Sequence, residues 1–91
     1  MILDISDINK RLSNLKGWTF KNGLISKEYS FDKYMDGIQF VNTVATKAEE
    51  LNHHPDIILG YCKVTVSLTS HDEGGVTEKC ILLAKNLERI V

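Results

Sequence analysis

An excess of charge of either sign is missing from this chain: 11 lysines and arginines stand against 12 aspartates and glutamates, for a formal net charge of −1. Neutralising nucleic-acid phosphates takes a surplus of cations, so the charge balance argues against direct nucleic-acid binding. Long apolar runs are also missing, which argues against a membrane span. The opening Met1–Asp7 carries acids and no apolar core of the kind a secretory signal needs. Cysteine is scarce. Cys62 and Cys80 alone do not make a disulfide framework, and a reducing, cytoplasmic compartment is expected. Pro55 is the only proline, and no repeat, low-complexity stretch or linker divides the chain.

Ninety-one residues with 43% apolar and 25% charged content fit one globular domain, 1–91. A core that small gains stability from self-association, so a homo-oligomer, a dimer or tetramer, is expected.

Ile5, Ile8, Leu12 and Leu15 recur at helical steps, and predict a helix over 5–15 capped by Asp4 or Ser6 and stopped by Gly17. Residues 17–21 read as a strand. Asn22-Gly23 is a two-residue hairpin signal, and the return strand runs from Leu24 to about Phe31. Asp32 then stands where it can cap a second helix reaching about Leu51. Its expected apolar face is Tyr34, Ile38, Val41, Val44, Ala45, Ala48 and Leu51, with Gly37 as a close-packing point. The helix must end before Pro55, because a residue preceding proline avoids the helical region. Residues 57–61 and 63–69 are strands, the second alternating Val64, Val66 and Leu68 with polar residues. A polar loop, 70–75, leads to Thr77 as the expected cap of a last helix carrying Cys80, Ile81, Leu83, Ala84, Leu87 and Ile90. The order α-β-β-α-β-β-α implies an α+β fold: a four-stranded antiparallel sheet with three helices on one face. The other face, or an edge strand, is the natural place for a partner subunit.

His53, His54 and His71 all fall at element ends, where a rigid scaffold presents functional groups. Histidine both donates and accepts protons near neutral pH. The plainer alternative is solvated loop histidines or helix caps. A metal centre needs converging ligands, and adjacent residues such as His53 and His54 rarely point at one ion. Glu49, Asp56 and Asp72 are nearby, but the spacing fits no common zinc pattern, so no metal is expected. Cys62 and Cys80 have no CxxC spacing, and Gly74-Gly75 lacks the lysine of a phosphate loop. Trp18, Tyr29, Phe31 and Phe40 read as core, while Tyr61 is open between core, interface and one wall of a site for a flat ring.

The run Ala48-Glu49-Glu50-Leu51-Asn52-His53-His54-Pro55-Asp56 resembles the signature of the pterin-4a-carbinolamine dehydratases: an acid four residues before two histidines and a proline, an aromatic, then a third histidine. Here these are Glu49, His53, His54, Pro55, Tyr61 and His71, with similarity extending from Gly17 to the C-terminus. The resemblance implies dehydration of a 4a-hydroxytetrahydropterin to quinonoid dihydropterin and water, with no metal or organic cofactor. It implies His53 and His71 as the acid–base pair, His54 binding and orienting the pterin, and Glu49 bonded to His53 or a neighbour. Pro55 would fix the chain's exit from the helix, and the region around Tyr61 would meet the pterin. The family's aspartate near the start of the last helix is here Cys80, which lacks a carboxylate's charge and two acceptor oxygens. Asp72 and Glu78 are possible substitutes. Cys80 itself either opens to the cleft, orienting a histidine, or packs with Ala84 and Leu87. Relatives that act as a transcription-factor dimerisation cofactor or a protein-assembly factor supply the competing, non-catalytic function.

Overall fold

The computed structural model describes residues 1–91. Its elements in chain order are α1 (Ile5–Leu12), β1 (Thr19–Lys21), β2 (Leu24–Ser30), α2 (Tyr34–Leu51), β3 (Asp56–Gly60), β4 (Lys63–Leu68) and α3 (Glu78–Arg89). This is the expected α-β-β-α-β-β-α order. The strands form one antiparallel sheet in the order β1-β2-β4-β3. The sheet therefore places its two hairpins side by side, with β2 and β4 central and β1 and β3 at the edges.

Strand alternation decides which face is covered. Ile25, Tyr29, Val64, Val66 and Leu68 lie on one face and are buried. Ile8 from α1, Phe40, Val44 and Ala48 from α2, and Ile81, Leu83, Ala84 and Leu87 from α3 close over them in one cluster. Polar residues such as Glu28, Lys63 and Thr65 occupy the open face. Ile58, on the edge strand β3, is 70% exposed. No helix is long and apolar enough to cross a membrane.

Four local expectations are corrected. α1 ends at Leu12 rather than Leu15. Residues beyond it turn, Leu15 enters the core from that turn, and Gly17 adopts φ +87°. Asp4 is the cap, its carboxylate accepting from the Asp7 N–H at 2.8 Å. The cap position of α2 is Lys33, not Asp32, and makes no side-chain cap bond. The inward stripe of α2 is Gly37, Phe40, Val44 and Ala48, with Val41 and Leu51 partly buried. Tyr34 and Ala45, one stripe round, face outward. Both stripes have helical spacing, and the bulk of Phe40 against Tyr29 and Phe31 selects the first. At α3, Thr77 is the cap residue by position, but its hydroxyl makes no cap bond. It turns to Ser70 Oγ at 2.7 Å instead.

Candidate active site

Two chain reversals at the same end of the molecule build the site. The first ends α2. Asn52 takes the left-handed conformation, φ 50°, its N–H donates to Glu49, and the His53 N–H donates back to the Ala48 carbonyl at 3.0 Å. This pairing is a Schellman ending. It turns His53 inward beneath the last turn of the helix and leaves His54 outside. The half-buried Pro55 follows and hands the chain to β3 in extended conformation. The second reversal follows β4. The Ser70 carbonyl accepts from the N–H groups of Glu73 and Gly74, and the Ser70 N–H donates to Gly75 at 2.8 Å. Gly74 takes φ +81°, where a side chain would be strained. The closed loop carries His71 at its tip.

β3 and β4 are adjacent, so the two reversals meet. Asn52, His53, His54, Thr69, Ser70, His71, Asp72, Glu73 and Lys79 line one open polar cleft of about 320 Å³. All three histidines expected from the sequence therefore face it. A larger groove between the N-terminal segment and Gly74–Val76 is lined largely by apolar side chains and has no histidine, so it offers no comparable acid–base chemistry.

The three imidazoles occupy different environments. His53 is 8% exposed, and its Nε2 lies 3.2 Å from Cys80 Sγ. Burial pushes its pKa below the ordinary histidine value; Lys79 and the other two histidines act the same way, and Asp72 opposes them. These surroundings favour the neutral form of the His53 ring. His54 is exposed, with Nε2 2.5 Å from the Glu49 carboxylate. Glu49 thus pairs with His54 and not with His53. His71 is exposed, its Nε2 3.6 Å from Asp56 Oδ2.

Cys80 proves to be both packed and at the site. It is fully buried, in the same cluster as Ala84 and Leu87, yet its sulfur is directly against His53. The first turn of α3 makes both true, since its inner side meets the base of the cleft. Of the two carboxylates nearest in sequence, Asp72 lines the cleft, whereas Glu78 turns away to pair with Arg11. Tyr61 is not brought to the cleft within this chain. It sits at the turn joining β3 to β4, 81% exposed and stacked on Tyr34. The hairpin register pairs Gly60 with Lys63 at that end and Asp56 with Ser67 at the other. Four strand residues, roughly 13 Å, separate the two ends. Ser70 and Thr77 were not singled out from sequence; both are buried and within 4 Å of the Cys80 sulfur, at 3.7 and 3.9 Å. No three histidine, cysteine or acidic side chains stand together as a metal-ligand set.

The small α+β domain thus gathers three histidines from two loops onto one polar cleft, one buried and two solvated beside carboxylates, an arrangement able to donate and accept protons. The family model described as pterin 4 alpha carbinolamine dehydratase matches residues 1–90, and the chain belongs to that family. A relative from Sulfolobus acidocaldarius, provisionally named as a pterin-4-alpha-carbinolamine dehydratase, is 38% identical over 99% of both chains. One from Herpetosiphon aurantiacus with the same provisional name is 44% identical, covering 98% of this chain and 93% of its own. Among solved structures, a transcriptional coactivator/pterin dehydratase from Brucella melitensis superposes with a TM-score of 0.94 at 33% identity, covering 99% and 98% of the two chains. A pterin dehydratase-like protein identified as a RuBisCO assembly factor in the alpha-carboxysome shares the fold, with a TM-score of 0.66 at 22% identity over 80% and 84%.

Proposed function

We propose that this protein dehydrates 4a-hydroxytetrahydropterin to quinonoid dihydropterin and water, using the histidines of the cleft as acid and base, in pterin cofactor recycling. The observation that carries this reading is the convergence of His53, His54 and His71 on one cleft with unequal environments. Two proton movements are required. The C4a hydroxyl is a poor leaving group until protonated, and the N5 proton must be removed as the ring nitrogens expel it. His71, in solvent beside Asp56, is the proton donor and regains its proton from water after each turnover. His53, neutral and semi-enclosed, is the base. His54, its far nitrogen fixed by Glu49, orients the pterin by hydrogen bonding. Positioned acid–base groups of this kind contribute about 10²–10⁴-fold. The chemistry calls for no metal or organic cofactor.

A non-catalytic role of the same fold, as a transcription-factor dimerisation cofactor or assembly factor, is the competing function, motivated by the functions in the names of the two solved relatives. Retention of all three histidines at the cleft favours catalysis. The deciding experiment is a stopped-flow turnover assay with chemically generated 4a-hydroxytetrahydropterin. Acceleration over the spontaneous dehydration supports the dehydratase. A rate equal to the buffer rate at high protein concentration rejects it. The protein is further expected to work as a cytoplasmic homo-oligomer that binds neither nucleic acid nor membrane.

A further inference from the structure

A buried four-membered cluster lies beneath the cleft. Four contacts link the His53 ring, Cys80, Ser70 and Thr77: Nε2 to Sγ at 3.2 Å, Sγ to Ser70 Oγ at 3.7 Å, Ser70 Oγ to Thr77 Oγ1 at 2.7 Å, and Thr77 Oγ1 back to Sγ at 3.9 Å. Ser70 and Thr77 are each 3% exposed and Cys80 is sealed, so these groups must satisfy one another. The ring of His53 is thereby oriented. Its Nε2 points inward to sulfur. No buried side-chain nitrogen or oxygen lacks a partner. Nδ1 has no partner within the chain, so it is the ring nitrogen open to the cleft.

We propose that Ser70 and Thr77 are positioning residues which, through Cys80, hold His53 as the Nε2–H tautomer with the bare Nδ1 facing the cleft as the working base. Proton counting supports this direction. A thiol has one hydrogen, and its sulfur is a weak acceptor. Suppose Nε2–H donates to Sγ. The S–H then donates to Ser70 Oγ, the Ser70 hydroxyl to Thr77 Oγ1, and the Thr77 hydroxyl back to Sγ. All four contacts are used, and every hydrogen inside has an acceptor. Suppose instead that S–H donates to Nε2. The two hydroxyls then have two hydrogens for the three contacts left among Ser70, Thr77 and sulfur, so one contact is necessarily idle. The first arrangement also keeps the stronger donor, the imidazole N–H, inside the cluster. A carboxylate beneath His53 would impose the same tautomer by accepting alone. A thiol, which also donates, needs an acceptor for its own hydrogen, and Ser70 supplies it.

The inference rests on the dehydratase reading only for the word base; the tautomer is a property of the folded protein and is read without turnover. Long-range proton–nitrogen correlation NMR of the histidine rings at neutral pH is expected to show His53 protonated on Nε2 and bare on Nδ1. Addition of a dihydropterin should shift Nδ1 and leave Nε2 in place. In Ser70→Ala the S–H loses its acceptor and turns to Nε2, so the Nδ1–H form should appear. If turnover exists, kcat should fall on the order of tenfold or more while KM holds. Thr77→Val should move the tautomer in the same direction, and Thr77→Ser, which keeps the hydroxyl, should restore the wild-type ring. An Nδ1–H ring in the wild-type protein overturns the proposal whether or not any variant folds, and so does a folded Ser70→Ala protein with an unchanged ring. A correct tautomer in a protein without turnover leaves this inference standing and removes only the dehydratase.

Discussion

His53 and His71 carry opposite proton traffic in the proposed reaction, and their surroundings differ accordingly. His71 is solvated at a loop tip, where truncation removes a proton donor and little packing. His71→Ala is therefore expected to lower kcat by about 10²-fold or more with little change in KM, because a proton donor acts chiefly in the transition state. Steady-state kinetics checks this; an unchanged kcat with a raised KM would reassign His71 to binding. Cys80 gives a second expectation. A carboxylate in its place would lie against His53 Nε2 and favour the imidazolium, raising the pKa that burial has lowered. A base works only when unprotonated, so the rate rises with pH through that pKa. In Cys80→Asp the rise should move to higher pH. A pH–rate profile superposable on wild type would show that position 80 does not act on the base. Thermal denaturation of the same variant reports the cost of the buried carboxylate, with Ser70 and Thr77 at hand as donors.

α2 and α3 both pack on the sheet through apolar side chains, and α3 has a charged tie as well. α2 packs through Gly37, Phe40, Val44 and Ala48. A methyl group built on Gly37 would meet Val64 Cγ2 at 3.5 Å and Phe31 Cδ2 at 3.6 Å, which is ordinary contact. The expected close-packing point thus has room for a methyl. Gly37→Ala should stabilise the protein by about 1 kcal/mol through helix propensity, seen as a raised melting temperature; a lowered one would mean that the neighbours cannot accept it. The far end of α3 is tied by charge. The Glu88 carboxylate accepts from Trp18 Nε1, Lys27 Nζ and the Tyr29 hydroxyl, the last at 2.6 Å. Burial alone would raise the pKa of Glu88, but the donors Lys27, Tyr29 and Trp18 together outweigh it and hold the pKa below the ordinary carboxylate value. The same burial and carboxylate push the Tyr29 phenol upward. Glu88 therefore contributes stability that is present above the unfolded carboxylate pKa and is lost as pH falls through the folded one. Glu88→Gln should cost about 2 kcal/mol at neutral pH and flatten that acid-side loss. Chemical denaturation at neutral and acid pH measures both; equal stability of the two proteins at neutral pH would show that the carboxylate's charge contributes nothing.

For the whole molecule, the open side of the sheet and the edge strand β3 leave apolar groups uncovered. Ile58 on β3 is 70% exposed, and Tyr61, in the turn that follows β3, is 81% exposed. A domain this small buries a limited core, and an unpaired strand edge invites pairing. Sedimentation velocity at micromolar concentration is expected to show a dimer or tetramer; a monomer at that concentration would count against the proposed homo-oligomer.

Much of this was legible before folding, because it is local or periodic. The element order, the Asn22-Gly23 turn, the alternation of β4 and the stop before Pro55 follow from backbone restrictions that act within a few residues. The position of the three histidines at element ends was legible too. The depth of each residue was not. Two helical stripes on α2 have equal periodicity, and only the packing of Phe40 on Tyr29 chooses between them. The partners of each histidine were not legible either. Glu49 reaches His54 because the left-handed turn at Asn52 sends His53 inward. Tyr61 and the cleft lie at opposite ends of a hairpin, although Tyr61 stands between His54 and His71 in the chain. Cys80 lies 27 residues from His53 and touches it. Sequence periodicity places a side chain on a face of its own element. Which group from another element meets that face depends on how sheet and helices close over the core, and that closure sets the burial of His53 and, through it, the lowering of its pKa.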